Sequence, residues 1–113
     1  MQKTISKADF RKQVIENDKL TIVKFKTDWS GTCQIISPIY NELAQSYEDQ
    51  AEFFTVDVET EKELSDEFGI IEFPTILFFS RGEVIDHAKG LISRTILISK
   101  VENALTQVHN KLN

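Results

Sequence analysis

Asp28-Trp29-Ser30-Gly31-Thr32-Cys33 separates two stretches of opposite habit. Before it, Leu20 to Thr27 is rich in Ile, Val, Phe and Thr and too short for a helix with a good apolar face, so it reads as a strand. Its Leu-Thr-Ile-Val centre implies burial on both faces. After it, Ile35, Ile36, Ile39, Leu43 and Tyr47 recur at helical spacing as far as about Glu48. Pro38 falls inside that helix and should kink it. Ser30 stands at the junction as an N-cap, where its hydroxyl accepts a bond from an otherwise orphan backbone N–H, worth about 1 kcal/mol relative to alanine.

Upstream, Ser6 with Asp9 resembles a capping box, and Phe10, Val14 and Ile15 give an apolar stripe, so a first helix is expected from about Lys7 to Asn17. Downstream, Phe53 to Val58 reads as a second strand. Thr60 with Glu63 forms another capping box, opening a short helix that Gly69 ends. Thr75 to Phe79 and Val84 to His87 are apolar segments joined by Ser80-Arg81-Gly82-Glu83, the turn of an antiparallel hairpin. Ser93 then caps a last helix whose buried face is expected from Ile96, Leu97, Val101, Leu105 and Val108, with the tail beyond Lys111 loose. Crossover units followed by a hairpin and a closing helix imply an α/β fold, a central mixed sheet flanked by helices on both faces.

With 113 residues, 41% of them apolar and 27% charged, the chain has the size and mixture of a single domain, residues 1–113. A formal charge of −5, with lysines and arginines scattered among acids, excludes a nucleic-acid partner. No apolar run approaches a membrane span and Met1 to Phe10 is polar, so no membrane partner and a cytoplasmic location are expected. Cys33 is the only cysteine, and His87 and His109 are far apart in sequence. Neither a disulfide framework nor a metal site is expected, and no cofactor is implied.

From roughly Ile5 to Val108 the chain resembles the thioredoxin family. Trp29 precedes the motif, Gly31 follows its first position, Cys33 occupies the second cysteine's place, and Pro38 sits five residues later, where thioredoxins kink the same helix. Phe68-Gly69-Ile70, Phe73-Pro74-Thr75, Arg81-Gly82-Glu83 and Gly90 follow in the family's order. The resemblance implies the thioredoxin fold with a cis-proline loop at Phe73-Pro74. It also implies a shallow apolar groove for an extended polypeptide around Trp29, Ser30, Gly31, Thr32, Phe73, Pro74 and Gly90, with Ile71 and Glu72 at its edge.

The resemblance also shows what is missing. Ser30 stands where the family carries its attacking cysteine, leaving the redox-active centre degenerate: Cys33 alone cannot close an internal disulfide. Thr32 replaces the usual proline. In the family pattern a buried aspartate, partnered by a lysine on the neighbouring strand, relays protons to the second cysteine. Those positions read Lys24 and Thr55. What replaces the relay is either a lysine that reaches solvent along its apolar stem or one close enough to Cys33 to favour its thiolate; an unpaired buried ammonium is costly, so the solvent-reaching lysine is expected. A serine hydrolase would need a base beside Ser30, and neither histidine falls in a segment that the family places near this loop.

The function expected is thus a thioredoxin-like binding or structural module, a disulfide oxidoreductase by resemblance but inactive in dithiol exchange. The alternative is a monothiol redox protein serving cell redox homeostasis, with Cys33 forming mixed disulfides with glutathione or a protein partner.

Overall fold

The computed structural model describes residues 3–112. Its elements run β1 (Lys3–Thr4), α1 (Lys7–Phe10), a π-helical turn (Arg11–Ile15), β2 (Leu20–Lys26), α2 (Gly31–Ser46), β3 (Ala51–Asp57), α3 (Lys62–Glu67), β4 (Thr75–Ser80), β5 (Glu83–Lys89) and α4 (Arg94–Leu112). The five strands form one mixed sheet in the order β1-β3-β2-β4-β5. β3 is parallel to β1 and β2, whereas β4 is antiparallel to both β2 and β5. At the hairpin, Arg81 and Gly82 take positive φ (50° and 83°), as a tight two-residue turn between right-twisted strands requires.

Helices cover both faces. On one, Ile36, Tyr40, Leu43 and Ala44 of α2 and Leu97, Val101 and Ala104 of α4 pack on Leu20, Ile22, Phe53, Ile76 and Phe78. On the other, Phe10, Val14 and Leu64 pack on Val23, Phe25, Phe54, Leu77 and Phe79. Because alternate residues of β2 serve the two cores, the strand is apolar on both sides over most of its length, and Lys24 interrupts the α2 face.

Several elements depart from expectation. The first helix stops at Ile15: the Glu16 N–H bonds to the Arg11 carbonyl, widening the turn, and the Asn17 side chain donates to Gln13 O and accepts from Lys19 N–H. Neither predicted capping box forms. Ser6 makes no side-chain cap; the Asp9 N–H bonds to the Ser6 carbonyl, Glu61 Oε1 takes the Lys7 N–H at 2.7 Å, and Glu63 pairs with the Lys7 ammonium. The N-cap of α3 is Glu61, and Thr60 donates instead to Asp57 O. Ile35 and Ile96, expected in buried stripes, are exposed, while Tyr40 is buried. β1 was not foreseen, and α4 continues one residue beyond Lys111, to Leu112. Asn113 lies outside the described residues.

Among the described residues no helix is long and apolar enough to cross a membrane, and no group of three or more His, Cys, Asp or Glu could hold a metal ion.

Candidate functional site

β2, the central strand, ends at Lys26, and the loop through Asp28, Trp29 and Ser30 turns the chain into α2. Lys26 holds this loop, its ammonium 2.5 Å from Asp28 and 3.6 Å from Asp57. Ser30 has the extended backbone of an N-cap (φ −87°, ψ 120°), and its hydroxyl oxygen accepts the Cys33 N–H at 3.3 Å. Its carbonyl accepts from Gln34, so both oxygens of Ser30 serve the first turn of α2. Gly31 is exposed with open space around it, and Thr32 is half-buried.

The β4 approach lies against this loop. Trp29 is 70% exposed, and its ring meets Phe73 edge-on at 6.1 Å. The Phe73–Pro74 peptide bond is cis, and the Pro74 carbonyl accepts the Gly90 N–H at 2.8 Å. Gly90 has φ +69°, and a Cβ there would sit 2.8 Å from Glu72 Oε2. The carboxylate of Glu72 therefore occupies space that only glycine leaves open. Ile71 beside it is 88% exposed. Trp29 is thus joined to Phe73, and Pro74 to Gly90, leaving large apolar side chains in water on the rim.

Below the loop, Cys33 is buried on the inner side of α2. Lys24 is buried as well, only 2% exposed, which overturns the expectation that it reaches solvent. Two groups of α2 hold it inside: the ammonium donates to Ser37 Oγ at 2.8 Å and lies 4.9 Å from the centre of the Tyr40 ring. A hydroxyl and an aromatic face together partly replace the water it has lost. Tyr40 is itself fixed, its hydroxyl 2.6 Å from the Phe54 carbonyl and 2.9 Å from that of Ile22. Burial lowers the pKa of Lys24 from 10.5 to about 8; Cys33 opposes that shift and Lys26 adds to it.

Thr55 lies opposite Lys24 in the β2–β3 ladder. Lys24, Thr55, Cys33 and Ser37 line one open cleft of about 390 Å³, with Thr4, Lys26, Thr27, Asp28, Gln34 and Asn41. Trp29, Phe73, Pro74 and Gly90 are not in that lining, so the loop separates a rim of apolar side chains from a polar cleft. Ser37 and Tyr40 were not singled out in the sequence, although they follow Cys33 by four and seven residues, the spacing that puts all three on one helix face. His87 and His109 are exposed and line no part of the cleft.

The family model described as Thioredoxin matches residues 1–103. The chain belongs to the thioredoxin family. Thioredoxin 1 of Synechococcus elongatus is 28% identical over 101 residues, which cover 89% of this chain and 94% of that relative. The thioredoxin of Pyropia yezoensis is 28% identical over 102 residues, covering 90% of this chain and 95% of its own. Thioredoxin H4 of Arabidopsis thaliana is 39% identical over 75 residues, 66% of this chain and 63% of that relative. This thioredoxin-family chain has one cysteine, so it cannot form an intramolecular disulfide.

Proposed function

We propose that this thioredoxin-like protein binds an extended polypeptide, or serves as a structural module, without dithiol–disulfide exchange. The observation that carries the reading is at Ser30: its hydroxyl caps α2 by accepting from Cys33, the only cysteine in the chain. A two-thiol mechanism needs one sulfur to attack and another to resolve the mixed disulfide, and with Ser30 at the attacking position only the second is present, at Cys33. The recognition half of the reading rests on the exposed Trp29, its contact with Phe73, and the loop at Pro74 and Gly90, with Gly31 and Thr32 on the facing side. An apolar rim of this kind suits an extended peptide. A cytoplasmic location belongs to the same proposal, since a lone thiol with no disulfide to keep fits a reducing compartment.

The test is dithiol-driven reduction of a protein disulfide by the native chain and by Ser30→Cys. The native chain should show no catalysis above the dithiol alone. Turnover by the native chain comparable to that of a two-cysteine thioredoxin would overturn the reading.

One observation favours a second reading, that Cys33 works as a monothiol forming mixed disulfides with glutathione: Cys33 lines an open cleft. Native-state labelling separates the two. Reaction of Cys33 with glutathione disulfide in the folded protein supports the monothiol; labelling only after unfolding supports the binding module.

A further inference from the structure

Two ammonium groups lie on the polar cleft, and the chain treats them differently. Lys26 is neutralised by Asp28 and Asp57. Lys24, more deeply buried, has a hydroxyl and a ring face as partners, and among the described residues no carboxylate stands within 4.0 Å of it. Neutral partners restore only part of the solvation that a buried ammonium loses. A second group in the lining is also unsatisfied. Thr27 is 2% exposed, and its hydroxyl has no hydrogen-bond partner.

The Thr27 hydroxyl is closed off from the open space of the cleft, so the group there that an ion can serve is Lys24, which lacks a single negative charge. Ser37 accepts from Lys24 and so keeps its own hydroxyl proton to donate. Asp28, the carboxylate in the lining, is engaged by Lys26. Cys33 is the remaining group that could become an anion, but its one sulfur is fixed to α2 and presents a single, weakly accepting atom. A carboxylate presents two oxygens with about four acceptor sites, enough to serve an ammonium and a hydroxyl together.

We propose that this cleft binds a small carboxylate of the size of formate or acetate, anchored by the Lys24 ammonium, with the hydroxyl of Ser37 donating to one of its oxygens beside the Cys33 thiol. The cleft, at about 390 Å³, takes such an ion with water to spare. This site is independent of the peptide reading, because none of Trp29, Phe73, Pro74 or Gly90 lines it. The titratable groups facing Lys24 are Cys33 and Tyr40 from α2 and Lys26 from β2. Tyr40 is buried, and burial raises its pKa well above the usual tyrosine value, so its ring stays neutral where Lys24 titrates.

The experiment is an NMR titration of the ¹⁵N-labelled full chain with sodium formate, against sodium chloride at equal ionic strength. Formate should give saturable shifts at the amides of Lys24, Thr27 and Cys33 that chloride does not. Cys33→Ser should bind at least as tightly as the native chain. Affinity in that variant should fall between pH 7 and pH 9 as Lys24 loses its proton. Lys24→Met should lose at least tenfold in affinity. Should that variant fail to fold, the Lys24 side-chain titration in the native chain decides, since formate binding to the ammonium must raise its midpoint. Absence of saturable formate shifts, chloride acting as well as formate, an unmoved Lys24 midpoint, or loss of binding in Cys33→Ser would each overturn the proposal.

Discussion

The backbone N–H of Cys33 donates to the hydroxyl oxygen of Ser30 at 3.3 Å, so the two residues at the centre of this loop are linked as helix cap and capped turn. At 3.3 Å the bond is longer than the usual N–H···O distance, which places its worth at the low end of the N-cap range. Ser30→Ala should therefore lower the unfolding free energy by roughly 0.5–1 kcal/mol. Ser30→Gly should lower it by only a few tenths, about the cost that glycine carries at an N-cap. Urea unfolding of the three proteins checks this, and a neutral Ser30→Ala would mean that the hydroxyl serves something other than the helix.

Lys24 gives stability an unusual dependence on pH. Its ammonium titrates at 10.5 in the unfolded reference and at about 8 when folded. Between those values the unfolded chain holds a proton that the folded protein has released, so stability rises with pH across that window. Below about pH 8 both states are protonated, and the fold bears the whole cost of burying the charge. The gap between about 8 and 10.5 corresponds to about 3 kcal/mol. Lys24→Met should thus be more stable than the native chain at pH 7, with the advantage shrinking by up to about 3 kcal/mol by pH 10.5. The difference between the two proteins, measured by denaturant unfolding in chloride buffers, removes the contribution of the other lysines. An advantage that stayed constant with pH would show that Lys24 keeps its proton throughout.

Tyr40 ties the helix carrying the site to two strands at once. Its hydroxyl has one proton and two carbonyl neighbours, Ile22 O and Phe54 O, and its ring lies beside Lys24. Tyr40→Phe keeps the ring and removes the bond, so the cost should be about 1–2 kcal/mol, that of a buried hydrogen bond whose acceptors are not rehydrated. The Lys24 titration midpoint should barely move, because the aromatic face remains. Thermal unfolding and the Lys24 side-chain titration together test both halves.

The strands and helices were legible because apolar period and turn chemistry agree along most of the chain: Leu20 to Lys26 alternates between two cores, and Arg81-Gly82 marks its hairpin without help from distant residues. The capping boxes failed because caps are contested over long range. Glu61 and Glu63 answer to Lys7, more than fifty residues away in sequence, which local spacing does not reveal. Ile35 was misplaced because α2 carries isoleucine on both sides, so composition could not choose its buried face. At the site, Ser30 as a cap followed from residue type alone. The position of Lys24 did not, because whether a lysine surfaces depends on what lies in its path. Here Ser37 and Tyr40 offer an inward partner, and one helix face carries them both with Cys33.

Two glycines with the same backbone hand should respond differently to a methyl group. Gly82 (φ +83°) and Gly90 (φ +69°) would each cost an alanine about 1–2 kcal/mol in left-handed strain. At Gly90 the added Cβ meets the end of Glu72, an exposed side chain that can rotate away. At Gly82 it would come within 2.7 Å of the Ile15 backbone carbonyl, at the end of the π-helical turn, and that group cannot move without the chain. Gly82→Ala should therefore destabilise by well over about 2 kcal/mol, whereas Gly90→Ala stays near the strain alone. Gly90→Ala combined with Glu72→Ala should cost no more than Gly90→Ala by itself, since the second change removes the only close neighbour of the new methyl. Urea unfolding of the three variants measures the ordering, and equal losses at the two glycines would show that the Ile15 turn yields as readily as a free side chain.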